Sequence, residues 1–405
     1  MTNKTNYEEI KKICLRNKEI SKSLVDDFLM YYTASQYNLE KNMNKQFDKF
    51  YHITREFPPG TIGMLKAQYI VHKLFKKDGL IKKVKNHSAL KNLTTEEKKY
   101  IAHQEKYPWR FSFSVITDNP AEDFFEMEDV FTGESYLLYS PGVSDTLSEH
   151  NPAVWFNLIS YNGTCYETYG VIAFYNGFQP GDIIFFGQET DPYNKWIDSG
   201  EELTEDVEND PVPYMMLLTG AFYPFIFHKE YQMVNCFTDY DIDDFEPPDY
   251  KKDFKIEYND GVYKLSPDKW SEYPHFAEAY YEENEYVLFL CSMTDLGFEK
   301  LIQLLNKYGN DFDEIPDFRV NSAMIVVAGN ILQKEIKVNI YESMFEIKPT
   351  EKEQEETDKI NEAIQMMLPD INSGKQPDIE QVAKKTGVDA KTLNDLIQDV
   401  LNKYK

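Results

Sequence analysis

Seven lysines, Lys73, Lys76, Lys77, Lys82, Lys83, Lys85 and Lys91, fall in one short stretch beside Tyr69, Phe75 and His87. Ammonium groups at that density can hold phosphate, although a charge cluster is more often a solvated face. Lysine without arginine argues against bidentate reading of base edges. A second cationic group, Lys384, Lys385 and Lys391, accompanies a pattern over residues 378–400 that fits a helix-turn-helix. Ala383 allows close approach of two helices, Gly387 makes the turn, Val388 follows it, and Thr392, Leu393 and Leu396 lay the second helix on the first. Asp389 and Asp395 on that second helix would oppose phosphate. Lys73, Lys76, Lys77, Lys82, Lys83, Lys85, Lys384, Lys385 and Lys391 are therefore the candidate contacts to an anion or a partner.

Other chemistry is thinner. Asp239, Asp241, Asp243 and Asp244 resemble the opening of a calcium loop, but Asp244 stands where glycine permits the bend and Tyr250 where a bidentate glutamate is wanted. The seven histidines, His52, His72, His87, His103, His150, His228 and His275, show neither HExxH nor HxH spacing. GxSxG, P-loop and GxGxxG patterns are missing from the sequence. Cys165 or Cys291 could serve as a nucleophile only with a distant histidine. Glu126 and Glu128 share one face of a strand, a coincidence expected among 69 acidic residues. The sequence thus assigns no catalytic residue, no cofactor and no metal.

The wider composition says what can position such groups. A 405-residue chain with 42% hydrophobic residues and only 18 glycines is globular and longer than one core usually organises. Its charge is partitioned. Residues 1–110 hold 22 basic and 12 acidic side chains, residues 111–350 hold 13 and 45, and residues 351–405 hold 8 and 12. The net charge of -26 disfavours broad nucleic-acid binding, whereas the partition suggests that the basic block docks on the acidic body or takes an external polyanion. The first residues lack an apolar stretch, and no run of membrane-spanning length occurs. Cys14, Cys165, Cys236 and Cys291 form no CxxC pair, so a reducing cytoplasm with thiols as small apolar side chains is expected.

Periodicity predicts an α+β multidomain protein: a basic helical domain (1–106), an acidic β-rich barrel or sandwich (107–235), an α+β domain (236–348) and a carboxy-terminal helical module (349–405). Ile10 to Tyr31 repeat at helical spacing, so a first helix should end near Tyr37. A second helix runs through Phe47 and Phe50 until Pro58-Pro59-Gly60, a third from Thr61 to Gly79, and Thr94 with Glu97 reads as a capping box. Strands are expected at 111–116, 124–131, 135–139, 154–161, 164–175 and 183–187, with Gln179-Pro180-Gly181-Asp182 as a turn. Residues 198–210 and 239–253 read as acidic loops. Tyr286 to Cys291 reads as a buried strand, Phe298 to Leu305 as a helix, and Met324–Val327 with Leu332–Tyr341 as a hairpin about Gly329-Asn330.

Three of these stretches together resemble the body of bacterial proteins that carry a SEC-C zinc motif. They are Phe125-Glu-Met-Glu-Asp129-Val-Phe-Thr-Gly133-Glu134-Ser-Tyr136, Phe178-Gln-Pro180-Gly181-Asp182-Ile-Ile, and Ile325 to Leu332 with Val338. The resemblance implies a shared scaffold, with hairpins at the first and third of these places and, at the second, a Gly-Asp turn that opens a barrel strand, and it implies no particular activity. The zinc motif itself is missing, since no cysteine follows Cys291. The leading expectation is a cytoplasmic, non-enzymatic protein that binds a macromolecule, most simply another protein. The alternatives are a DNA-binding regulator acting through the basic block or the helix-turn-helix, and a hydrolase whose site converges from distant segments.

Overall fold

Asn6 accepts the Glu9 amide and starts the first helix, Tyr7–Ser21, which passes through a widened π turn, Lys22–Leu29, into Met30–Gln36. In this computed structural model residues 6–55, 57–190, 199–218, 227–228, 231–243, 245–336, 359–360, 362–363, 366–367 and 377–394 are described. The first helix ends at Tyr37, as its spacing predicts. Helices Leu39–Asp48 and Tyr51–Thr54 follow, and Pro59 then opens Pro59–Phe75, where its missing amide is harmless. Thr94 and Glu97 form the predicted capping box of Thr95–Lys106.

Beyond Trp109 five strands close a barrel in the order β1-β2-β3-β5-β4. They are β1 (Arg110–Ala121), β2 (Phe124–Asp129), β3 (Ser135–Tyr139), β4 (Val154–Tyr161) and β5 (Tyr166–Tyr175). Alternation sorts their side chains into two cores. Phe125, Met127, Leu138, Trp155 and Ile159 form one, while Phe111, Phe113, Phe156 and Leu158 join the helices in the other. Phe113 stacks on Phe156 at 4.3 Å across the β1/β4 register. The β2–β3 hairpin turns at Gly133, whose φ is 67°. Its anchor is buried Asp129, which accepts from Ser112 (2.6 Å), Arg110 (3.0 Å) and the amides of Phe131 and Thr132.

After the short pair β6 (Phe227–His228) and β7 (Tyr231–Gln232) come β8 (Val234–Asp241), β9 (Phe254–Asn259), β10 (Val262–Pro267), β11 (Glu278–Glu282), β12 (Val287–Ser292) and β13 (Phe318–Asn321). These six make a sheet of order β13-β8-β12-β11-β10-β9, against which helix Asp295–Asn306 lays Phe298, Leu301, Ile302 and Leu305.

Three segments depart from their sequence reading. Residues 183–187 are helical, within Pro180–Thr190, because Pro180 stands at the helix start and Asp182 accepts the Gln179 amide at 2.7 Å. Short apolar runs satisfy either period, and the cap decides. Residues 200–209 are a helix, not a solvated loop: Ser199 caps the Glu202 amide, acidic groups fill the favourable first turn, and Leu203 and Val207 are buried four apart. The hairpin expected about Gly329-Asn330 is instead helix Ser322–Leu332, capped by Asn321 and burying Met324, Val327, Ala328 and Ile331. Residues 337–341 of that expectation lie outside the described residues. Within the other acidic stretch, Asp239 and Asp241 are in β8 and 247–250 form a 3-10 turn.

Residues 1–339 and 340–405 are two compact units. The large core of the first runs from Leu24 to Ile331, drawing on the basic segment 1–110 and on the acidic segment after it. Residues 1–106 and 107–235 contribute to one large core, and the sheet and helix of 234–312 keep a core of their own within the same unit, since burial follows apolar side chains and is blind to the sign outside. In the second unit, helix Ile379–Thr386 ends at Gly387 in the left-handed region (φ 76°), and Val382 and Leu393 bury with Ala363 and Met367. Leu396 and Asp395 lie outside the described residues.

Candidate functional site

The bend in β5 begins the site. Phe156 pairs with Ala173 but Leu158 with Tyr169, so β5 bulges between them around Gly170, whose φ is 77°. A bulge frees carbonyls from the ladder. Gln68, buried on helix Pro59–Phe75, donates to two of them, Tyr169 O at 2.9 Å and Val171 O at 3.3 Å. A side chain on residue 170 would press on Gln68 at 3.3 Å, so glycine keeps helix and strand close.

Around this junction lies a pocket of about 650 Å³ between the first helix, helix Pro59–Phe75 and the barrel. Its wall places Asp26 against Tyr169, whose hydroxyl donates to Asp26 Oδ1 at 2.5 Å. Glu167 projects from β5, its Oε1 accepting from Asn162 (2.5 Å) and Asn17 (3.4 Å). Burial pushes the Glu167 carboxyl above its ordinary range despite those donors. Tyr31 and Met64 line the same pocket while 66% and 54% exposed, a solvated apolar rim above a hydrogen-bonding floor.

Cys14 also lines the pocket, and behind it lies Cys165, with 3.5 Å between the two sulfurs. Both are free thiols buried in a small apolar cluster with Phe124 and Tyr139, as expected, but helix and barrel turn bring together two residues that the sequence holds far apart.

The lysines are not gathered into one site. Lys73 and Lys76 turn inward and donate to the carbonyls of Asn209 and Glu208 on the acidic helix Gly200–Asn209. Burial and the neighbouring Lys76 pull the Lys73 pKa down to about 8. Beside them His72 Nε2 meets Glu208 Oε2 at 2.8 Å, and Glu208 Oε1 accepts the Phe111 amide at 2.9 Å. Lys82 pairs with Asp78 (2.7 Å) and Lys85 with Glu105 (2.6 Å). Lys77, Lys83 and Lys91 are exposed and make no ion pair among the described residues.

No family model matches the chain, and neither curated proteins nor solved structures give a match.

In the second unit Lys384, Lys385 and Lys391 are exposed. Asp389 caps the helix that begins at residue 390, accepting the amides of Lys391 and Thr392 at 3.1 Å. A helix start capped by a carboxylate repels the phosphate that such amides would otherwise attract. Glu126 and Glu128 are exposed on β2, apart from the pocket, and Cys291 gives its thiol to Glu278 O. Among the described residues no cluster of three or more metal-ligating side chains occurs, and no helix is long and apolar enough to cross a membrane.

Sequence reasoning missed the pocket. Asp26, Gln68, Tyr169 and Glu167 carry no motif, and Gly170 inside a strand pattern was the one local hint of a bulge. Asn162-Gly163 was visible as a turn, but not as the turn that brings Cys165 to the first helix.

Proposed function

We propose that this protein works by binding, and that its recognition site is the pocket between the first helix and the barrel. The observation that carries this reading is the pairing of an exposed apolar rim, Tyr31 and Met64, with a floor of acceptors, Asp26 and Glu167, in a volume suited to one organic ligand or one protruding side chain of a partner. Such a floor favours a donor or a cation over an anion. Aromatic amines screened by thermal shift and calorimetry should bind better than the matched aromatic carboxylates. Glu167→Gln should weaken amine binding about tenfold. Equal binding of amines and carboxylates, or an unchanged affinity in the variant, would refute the assignment.

A second reading, contact with an acidic macromolecule and in the first place a protein, is supported by Lys77, Lys83 and Lys91 on the outer face of the basic segment. On that reading K77E/K83E/K91E abolishes the specific band that the native chain retains from its own lysate at low salt, and raised salt does the same to the native chain. Retention of that band by the variant removes the lysine face from consideration. A cytoplasmic setting belongs to both readings. The Asp129–Glu134 turn is the segment that supports the proposed scaffold kinship with SEC-C-motif-associated proteins.

A further inference from the structure

We infer that Cys14 and Cys165 form a redox site, a dithiol that closes reversibly to a disulfide under a peroxide-class oxidant. The two residues stand 151 positions apart, on helix Tyr7–Ser21 and on the turn between β4 and β5, yet their Sγ atoms are 3.5 Å apart. That separation leaves only a short approach to bonding distance. Both thiols are free and buried, and Cys14 forms part of the pocket wall, so a water-sized oxidant has a path that a protein reductant lacks.

The turn is built to present a donor to the sulfurs. Asn162 Oδ1 accepts the amides of Thr164 and Cys165, each at 2.9 Å, and the Thr164 hydroxyl at 2.7 Å. Its oxygen is thereby identified, and Nδ2 must face the other way. There it reaches Cys14 Sγ at 3.2 Å, Cys165 Sγ at 3.4 Å and Glu167 Oε1 at 2.5 Å. One thiol donates to the other, and Asn162, which gives one amide hydrogen to Glu167, shares its second between the two sulfurs, an arrangement that favours a single proton shared over two sulfurs. Cys165 is the member whose acidity this strengthens, the Cys14 thiol being the larger cause and Asn162 a further one. The remaining cysteines are held differently. Cys236 faces the Asp295 carboxylate, Cys291 donates to a carbonyl, and burial pushes the Cys236 thiol up.

The reaction balances without other groups. A thiolate of the pair attacks one peroxide oxygen, breaks the O–O bond and expels hydroxide, leaving a sulfenic acid. The second sulfur attacks the first, its proton leaves with the departing hydroxyl, and the sum is one peroxide and two thiols giving one disulfide and two waters. A dithiol reductant reverses it by thiol–disulfide exchange, ending as its own disulfide. Closure fixes the first helix to the barrel beside the pocket and withdraws two hydrogen-bonding sulfurs from Asn162, leaving that amide to Glu167. The pocket floor would thus report the oxidation state of the pair.

The test uses the full native chain. Dilute hydrogen peroxide followed by alkylation and peptide mapping should yield a linked Cys14–Cys165 peptide, lost on dithiothreitol treatment. The pair should escape alkylation at least about tenfold sooner than Cys236 and Cys291. Cys14→Ser and Cys165→Ser should each abolish the link and leave the partner thiol to oxidise further. Peroxide treatment that oxidises the folded wild-type chain without that linked peptide, or that joins Cys236 to Cys291 first, overturns the inference, whether or not the serine variants fold.

Discussion

Glu208→Ala is expected to lower the free energy of unfolding at neutral pH by about 3 kcal/mol, because it strands two groups at once. His72, fully buried, loses the acceptor at 2.8 Å for its Nε2, and the Phe111 amide at the head of β1 loses the acceptor at 2.9 Å. His72 Nδ1 is buried without a hydrogen-bond partner, as suits the unprotonated nitrogen of a neutral ring whose Nε2 donates. Burial holds the His72 pKa below its ordinary 6.5, with Lys73 and Lys76 reinforcing and Glu208 opposing. Glu208 is raised by burial, but His72, the Phe111 amide and Lys76 outweigh this and keep its pKa below the ordinary 4.5. Both signs run the same way. The unfolded chain takes up the histidine proton first, so this junction's stabilisation is full above about pH 6.5, weakens below it, and declines again as pH falls through about 4.5. Urea titrations of wild type and variant at neutral pH decide the point, and a difference under about 1 kcal/mol would show the junction to be dispensable.

Asp182→Ala should have an effect of similar size, about 2–4 kcal/mol, through a different contact and with the opposite pH signature. The Asp182 carboxyl is wholly buried and accepts Gln179 N at 2.7 Å and Asn321 N at 2.6 Å, joining the start of helix Pro180–Thr190 to the cap of helix Ser322–Leu332. Burial pushes its pKa up to about 6, although both amides and Arg319 pull it down. Between the ordinary 3.8 and about 6 the folded chain keeps a proton that the unfolded chain has released. This group's contribution is therefore greatest below about pH 4 and falls as pH rises through 6, by about 3 kcal/mol in total. Asp182→Asn retains one oxygen acceptor and cannot ionise, so it should be destabilised less than the alanine variant and should flatten the fall in stability from pH 4 to 6.5. An asparagine variant with the wild-type slope would place the titration elsewhere.

These two junctions show why the positions of the elements were legible and their joining was not. Thr94 with Glu97, the Gly133 turn and strands β3 and β4 depend on neighbours a few residues away, and those neighbours are printed in order along the chain. Residues 183–187 and 325–332 are short apolar runs that fit a strand as well as a helix. Their state was settled by Asp182 and Asn321, one of which binds the other's backbone across 139 positions. The acidic helix Gly200–Asn209 was misread for a related reason. Carboxylates dominate its composition, but Leu203, Val207 and Glu208 face inward, and Glu208 meets His72 of the basic segment and the Phe111 amide of β1.

The lysine-rich segment makes the same division at the level of function. Its charge was plain from the sequence, and so was the counter-charge available elsewhere in the chain. That Lys73 and Lys76 would reach the acidic helix while Lys77, Lys83 and Lys91 faced outward required the phase of helix Pro59–Phe75 and the segment after it to be fixed by packing.

The sequence by itself determined a mixed helical and strand-rich chain, the caps and turns that delimit most of its elements, and the sorting of charge along its length. Tertiary structure alone decided that the basic segment 1–110 and the acidic residues that follow it share one core, that a strand bulge opens a pocket against the first helix, and that Cys14 meets Cys165 beside Glu167. Local preferences act over a few residues and leave a readable pattern. Contacts between distant residues are selected by the shape and burial of the whole body, and no local spacing records them.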